Sequence, residues 1–131
     1  PKATSLYGSL PEQLKKPGSF VSQLKNILAL RKKYQVHLGQ VIDIPVTKDK
    51  GLFIMINKLP DNQGFLVTAL NFGQKKIMEN VKVRGPEGTG LNLLKDEYEW
   101  GVSYLGDYYF ELEPLEAKAI FFATPNRTGK S

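Results

Sequence analysis

A chain of 131 residues, 41% apolar and 24% charged, is long enough for one domain with a hydrophobic core and has the make-up of a soluble globular protein. Cysteine is absent, which excludes disulfides and thiolate chemistry and leans towards a cytoplasmic setting. The net charge of +5 divides unevenly, with ten Lys/Arg against three Asp/Glu up to residue 60 and eight against ten beyond it. Only three of the eighteen basic residues are Arg, so the charge does not call for a nucleic-acid partner.

No apolar run approaches the roughly 18 residues that cross a bilayer, so no membrane is expected as a partner. Residues 1–19 lack the apolar stretch of a secretory signal. The sequence starts without Met and reads as an excised or processed piece. Residues 1–18 are broken by Pro1, Gly8, Pro11, Pro17 and Gly18, leaving room for about one helical turn at Pro11–Lys16. Ser19 is the predicted N-cap of the main helix, which runs to Tyr34 or Gln35. Phe20, Leu24, Ile27, Leu28 and Tyr34, with the stem of Arg31, follow the spacing of one helical face. Arg31, Lys32 and Lys33 occupy the last turn, where cations complement the macrodipole.

After Gly39 the period changes to two. Gln40–Val46 alternates and meets Pro45, as an edge strand does. Gly51–Asn57 is apolar throughout, the pattern of a central strand covered on both faces, and Leu59–Gly64 is a turn cluster. Phe65–Phe72 completes a hairpin with it. Lys76–Val83 is a more exposed strand, Arg84–Gly90 is a loop, and Gly90–Leu94 pairs briefly. In Asp107–Pro114, Tyr108, Phe110 and Leu112 face in while Tyr109, Glu111 and Glu113 face out. Ala117–Ala123 is the last strand, and residues 125–131 form a flexible tail. The expected fold is mainly β: an antiparallel β-sandwich of seven or eight strands preceded by one amphipathic α-helix.

Chemistry-bearing constellations are scarce. His37 is the single histidine and follows the helix, where a capping or surface role fits it. Neither Cys nor multiple His is available for a metal. Carboxylates occur at Asp96, Glu97, Glu99, Asp107, Glu111, Glu113 and Glu116. Glu111 and Glu113 share a strand face roughly 7 Å apart, a spacing compatible with two-carboxylate sugar chemistry, although an outward solvated phase explains it more simply. Thr128–Ser131 imitates a phosphate loop without its upstream glycine or following helix. Asn126–Thr128 matches a glycosylation tripeptide that arises by chance, and Gly85–Gly90 lacks the strand-to-helix context of a nucleotide loop. Trp100, Tyr104, Tyr108 and Tyr109 cluster within ten residues. Of these, Trp100, Tyr104 and Tyr109 could form a sugar-stacking platform, against a simpler role for Trp100 and Tyr108 in the core and Tyr104 at a turn.

Ser19–Tyr34, "SFVSQLKNILALRKKY", resembles the last barrel helix of the alpha-amylase superfamily of glycoside hydrolases. "LYGSLPEQLKKPGSF" before it, Lys50–Gly73 after it and the closing Tyr104–Phe122 are similar to the trehalose synthase (maltose alpha-D-glucosyltransferase) family. The resemblance covers about residues 4–123. It implies that residues 1–38 are the tail of a catalytic (β/α)₈ barrel, with its last helix at about 19–35, and that residues 39–124 are the C-terminal β-sandwich. The catalytic carboxylates of such barrels lie on strand ends that are not in this sequence, so no catalytic residue, metal ligand or cofactor is assigned here.

The expected function is that of a non-catalytic accessory domain of an enzyme that interconverts maltose and trehalose. Its partner is the barrel of the same parent chain, met through Phe20, Leu24, Ile27 and Leu28. Without the barrel this face either folds back onto the sandwich or self-associates, because exposing such side chains costs about 1.5–3 kcal/mol each. The alternatives are a carbohydrate-binding module, or the C-terminal domain of an alpha-glucosidase or maltogenic amylase.

Overall fold

The computed structural model describes residues 19–99, 101–103 and 105–124. Helix α1 spans Phe20–Lys33, followed by strands β1 (Gln40–Asp43), β2 (Leu52–Lys58), β3 (Gly64–Asn71), β4 (Ile77–Lys82), β5 (Leu91–Asn92), β6 (Glu97–Tyr98), β7 (Asp107–Leu112) and β8 (Ala117–Ala123). A six-stranded sheet has the order β1-β2-β3-β8-β5-β6, and β4 pairs with β7 in a separate ribbon; all pairings are antiparallel. The expected mainly β architecture with one helix on its N-terminal side is therefore present. Two predicted segments, the turn at 11–16 and the tail at 125–131, lie outside the described residues.

The large sheet is covered on both faces. One face packs against the ribbon, with Leu52, Ile54, Ile56, Val67, Ile120 and Phe122 meeting Ile77, Val81, Tyr108, Phe110 and Leu112. The opposite face offers Leu66, Ala117 and Ala119 to Ile27 and Val36, with Leu30, Tyr34 and Phe121 packed around them. This double cover explains why β2 carries no polar phase until Asn57. Strand β7 shows the opposite pattern, because its outer face is open: Tyr108, Phe110 and Leu112 are buried while Tyr109 and Glu111 are exposed.

Helix α1 starts where the Ser19 hydroxyl accepts a hydrogen bond from the Ser22 backbone N–H at 3.1 Å, as an N-cap should. It ends at its C-cap Tyr34, and the next residue, Gln35, a non-glycine with φ 55°, turns the chain away in the left-handed region. A short 3₁₀ turn, Val36–Leu38, then drops into β1. At Gly39 a Cβ would run into the Lys58 carbonyl, so only glycine lets β1 approach β2 there. Strand β1 stops at Asp43, shorter than the predicted 40–46, with a register shift between Val41 and Asp43. Such a bulge suits an edge strand.

Candidate functional site

The helix is fixed to the sheet by polar clips as well as by apolar packing. The Gln23 amide accepts from the Ala117 N–H at 2.7 Å and donates to the Leu115 carbonyl at 3.0 Å. At the other end, Arg31 donates to the Asn57 side-chain oxygen at 3.2 Å. Phe20 meets Phe72 edge-on at 5.5 Å, and Tyr34 stacks on Phe121 at 5.5 Å. Ile27 is 4% exposed. Among the four residues predicted to form a domain interface, Phe20 and Ile27 thus face this sheet. Leu24 is half-buried, and Leu28 is 67% exposed on the neighbouring flank. Sequence reasoning missed Gln23 as an anchor, because a helical wheel scores it as polar; it placed the stem of Arg31 on this face but not the hydrogen bond of its guanidinium to Asn57.

Beside that flank, Arg31, Lys32, Val36, His37, Gly39, Gln40, Val41 and Asn57 line a cleft of about 410 Å³. It is cationic and contains no carboxylate, so His37 has no acid or nucleophile beside it among these residues. A second cleft of about 620 Å³ lies between the β4–β5 and β6–β7 loops, lined by Val83, Pro86, Glu87, Val102 and Ser103 with three glycines. Its only carboxylate is Glu87, and two-carboxylate sugar chemistry needs a pair.

Five of the seven carboxylates singled out in the sequence, all but Asp96 and Glu97, are engaged by lysines. Lys76 bridges Glu111 at 2.8 Å and Glu113 at 3.4 Å. The Lys76 ammonium holds the Glu111 carboxyl below its ordinary pKa, the hydrogen bond contributing most and the charge next, which suits a fixed anion and not a proton donor. Lys82 meets Asp107 at 3.3 Å, and Lys95 meets Glu116 at 3.1 Å. Glu99 is drawn inwards to Lys118 at 2.9 Å and accepts from Asn92 at 3.1 Å. Lys118 is buried because it shares the strand phase of Ile120 and Phe122, a parity signal that was legible in "AKAIFFA". Among the described residues no group of three or more His, Cys, Asp or Glu could hold a metal ion.

Of the predicted stacking platform, Trp100 and Tyr104 lie outside the described residues. Tyr109 projects from the outer face of β7, 40% exposed and opposite Asn80. Tyr108 fills the core, edge-on to Phe110 at 4.6 Å and to Phe122 at 5.8 Å. Its hydroxyl is buried without a hydrogen-bond partner among the described residues, and burial, with the nearby Glu99 charge, pushes its pKa well above the ordinary tyrosine value.

No protein-family model and no curated protein matches the sequence. Solved structures do share the fold. One is AmyP in complex with maltose, with a TM-score of 0.59 and 19% identity over 79% of this chain and 20% of that one. Another is an Anoxybacillus alpha-amylase, at 0.58 and 18% identity over 82% and 22% of the two chains. A GH30 endoxylanase from Clostridium papyrosolvens scores 0.51 at 11% identity over 65% and 23%. This chain spans about a fifth of the length of each. At such identities the likeness is one of fold, shared by enzymes of different named activities.

Proposed function

We propose that this chain is the non-catalytic C-terminal accessory domain of an alpha-amylase-superfamily enzyme, most like trehalose synthase. In this reading residues 1–38 are the tail of the catalytic barrel and residues 39–124 are the sandwich that braces it in the cytoplasm. The observation that carries the reading is the fold it shares with a limited part of much longer chains, an alpha-amylase among them. The local chemistry agrees with it: the candidate carboxylates Glu99, Asp107, Glu111, Glu113 and Glu116 are each held by a lysine. The maltose–trehalose specificity rests on the sequence resemblance of Lys50–Gly73 and Tyr104–Phe122. In this role the domain contributes rigidity: α1, fixed to the sheet by Gln23 and Arg31, gives the barrel's last helix a solid backing. The isolated chain incubated with maltose should release neither trehalose nor glucose; sustained turnover by it defeats the reading.

A second reading, a carbohydrate-binding module, has the exposure of Tyr109 in its favour. Titration with maltotriose separates the two. A stacking platform gives a saturable change in aromatic fluorescence that Tyr109→Ala removes, whereas an accessory brace gives none.

A further inference from the structure

The cleft at the end of α1 differs from its neighbours in the sign of its charge. The cleft that adjoins it, sharing Gly39 and Gln40, contains Asp61, and the larger one beside the β4–β5 loop contains Glu87. Here the walls hold Arg31, Lys32 and His37 and no carboxylate. No Asp or Glu occurs between residues 19 and 42, and neither Arg31 nor Lys32 has an ion pair among the described residues. Lys76, Lys82, Lys95 and Lys118, by contrast, each meet a carboxylate.

Asn57 indicates what would complete the cleft. It is 2% exposed and lines the cleft from β2, paired with Val41 of β1. Its side-chain oxygen accepts from the Arg31 guanidinium at 3.2 Å. A guanidinium only donates, so this bond fixes which way the amide is turned and leaves its NH₂ group free. That nitrogen has no partner among the described residues. Unlike the sealed hydroxyls of Thr68 and Tyr108, it is reached through the cleft. The walls therefore offer the Asn57 amide, the remaining guanidinium N–H groups of Arg31 and the Lys32 ammonium, with His37 and Gln40 able to add donors. Water can satisfy one amide, but it does not supply the charge that Arg31 and Lys32 lack. The partial negative charge at the C-terminus of α1, about half a unit, is outweighed by Arg31, Lys32 and Lys33 in its last turn.

We propose that this cleft binds a small oxyanion of the phosphate class, free or as a phosphomonoester, with Arg31 and Asn57 setting its orientation and Lys32 supplying charge. Donors converging from a helix, a strand and a 3₁₀ turn suit a tetrahedral oxyanion better than a planar carboxylate. A volume of about 410 Å³ leaves room for a small organic group on the phosphate. Lys25 and Lys33 do not line the cleft, so its charge is gathered in a concavity and is not a track for a polyanion. The site goes beyond the accessory role and does not depend on it, since every donor belongs to this chain.

Nitrogen–proton correlation NMR of the 131-residue chain, at constant pH and ionic strength, reads the site directly, and the dispersion of the same spectra reports the fold of each variant. Inorganic phosphate should move the Asn57 side-chain amide and the Arg31 Nε–H resonances along a saturable curve while the amides of β4 and β7 stay in place. Lys32→Gln, at an exposed position, should raise Kd about tenfold, whereas Lys76→Gln should leave it unchanged. Asn57→Asp sets a carboxylate against Arg31 and should abolish binding; if that variant does not fold, Lys32→Gln carries the test. Glycerol phosphate binding at least as tightly as inorganic phosphate, with glycerol inert, would identify a phosphomonoester as the ligand, and much weaker binding would identify the free ion. Either result supports the site. An Asn57 amide that does not respond at tens of millimolar phosphate, an unchanged curve in Lys32→Gln, or acetate binding as tightly as phosphate would overturn the proposal. The accessory-domain reading fails separately, on turnover by the isolated chain.

Discussion

Replacing Tyr108 by phenylalanine tests the description of the core at a single atom. The ring is 2% exposed and packs edge-on against Phe110 and Phe122, contacts that phenylalanine keeps. The hydroxyl is buried with no partner among the described residues, and a stranded polar group of this kind costs about 1–3 kcal/mol. Removing it leaves a void the size of one oxygen, which returns part of that gain, so Tyr108→Phe should stabilise the fold by about 1 kcal/mol at neutral pH. For a domain of this size that is about 3–5 °C in Tm. The pH dependence supplies a second readout. Because the folded pKa of Tyr108 is raised, the folded state keeps a proton that the unfolded chain releases above about pH 10, and stability falls as pH rises from there by up to about 1.4 kcal/mol per unit. Lys76 and Lys95, whose pKa values are raised by Glu111 and Glu116, lose their stabilisation in the same direction, but they do so in both proteins. The difference between wild type and Tyr108→Phe should therefore widen above about pH 10 in urea titrations followed by circular dichroism. A variant less stable than wild type by about 1 kcal/mol, with parallel alkaline limbs, would mean that the hydroxyl has a partner and refute the reasoning.

Other outcomes follow from the helix seam and the surface. Gln23→Ala strands the Ala117 N–H and the Leu115 carbonyl and should cost about 1–3 kcal/mol in urea denaturation. Ile27→Ala should cost about 2–4 kcal/mol in the isolated chain, whereas Leu28→Ala, one residue on but mostly exposed, should stay within about 0.5 kcal/mol. Glu111 has a lowered folded pKa, so its pairing with Lys76 supports the fold above the unfolded carboxyl pKa and is lost as pH falls through the folded one. Glu111→Gln should flatten that acid limb at low salt and change little in high salt, where a surface pair is screened.

Much of this architecture was legible because burial imposes a period. Tyr108, Phe110 and Leu112 gave away β7 by alternation, and Ala117–Ala123 matched β8 at both ends. Ser19 marked the helix start because its hydroxyl has one obvious backbone donor to serve. Strand β6 was missed: Glu97 and Tyr98 are both exposed and are held by pairing with β5, which leaves no hydrophobic trace. Asn71 was invisible for a related reason. It is fully buried and donates to the carbonyls of Lys75, Leu112 and Glu113 while accepting from the Gly73 N–H, tying the end of β3 to the end of β7. Nothing in its neighbourhood in the sequence indicates partners about forty residues away. The helix face was read partly correctly. The stripe through Phe20, Ile27 and Tyr34 meets the sheet, but Gln23 and Leu30 complete the contact, which leaves Leu28 on the open flank. Periodicity gives an axis of amphipathicity; polar clips decide how far round that axis the helix turns.

The most direct measurement is thermal unfolding of the parent's catalytic portion, alone and with this 131-residue chain added at rising concentration. A brace predicts a saturable rise in Tm, equivalent to about 2.7 kcal/mol at a hundredfold excess over Kd. A Tm that does not move at any concentration of added chain would contradict it.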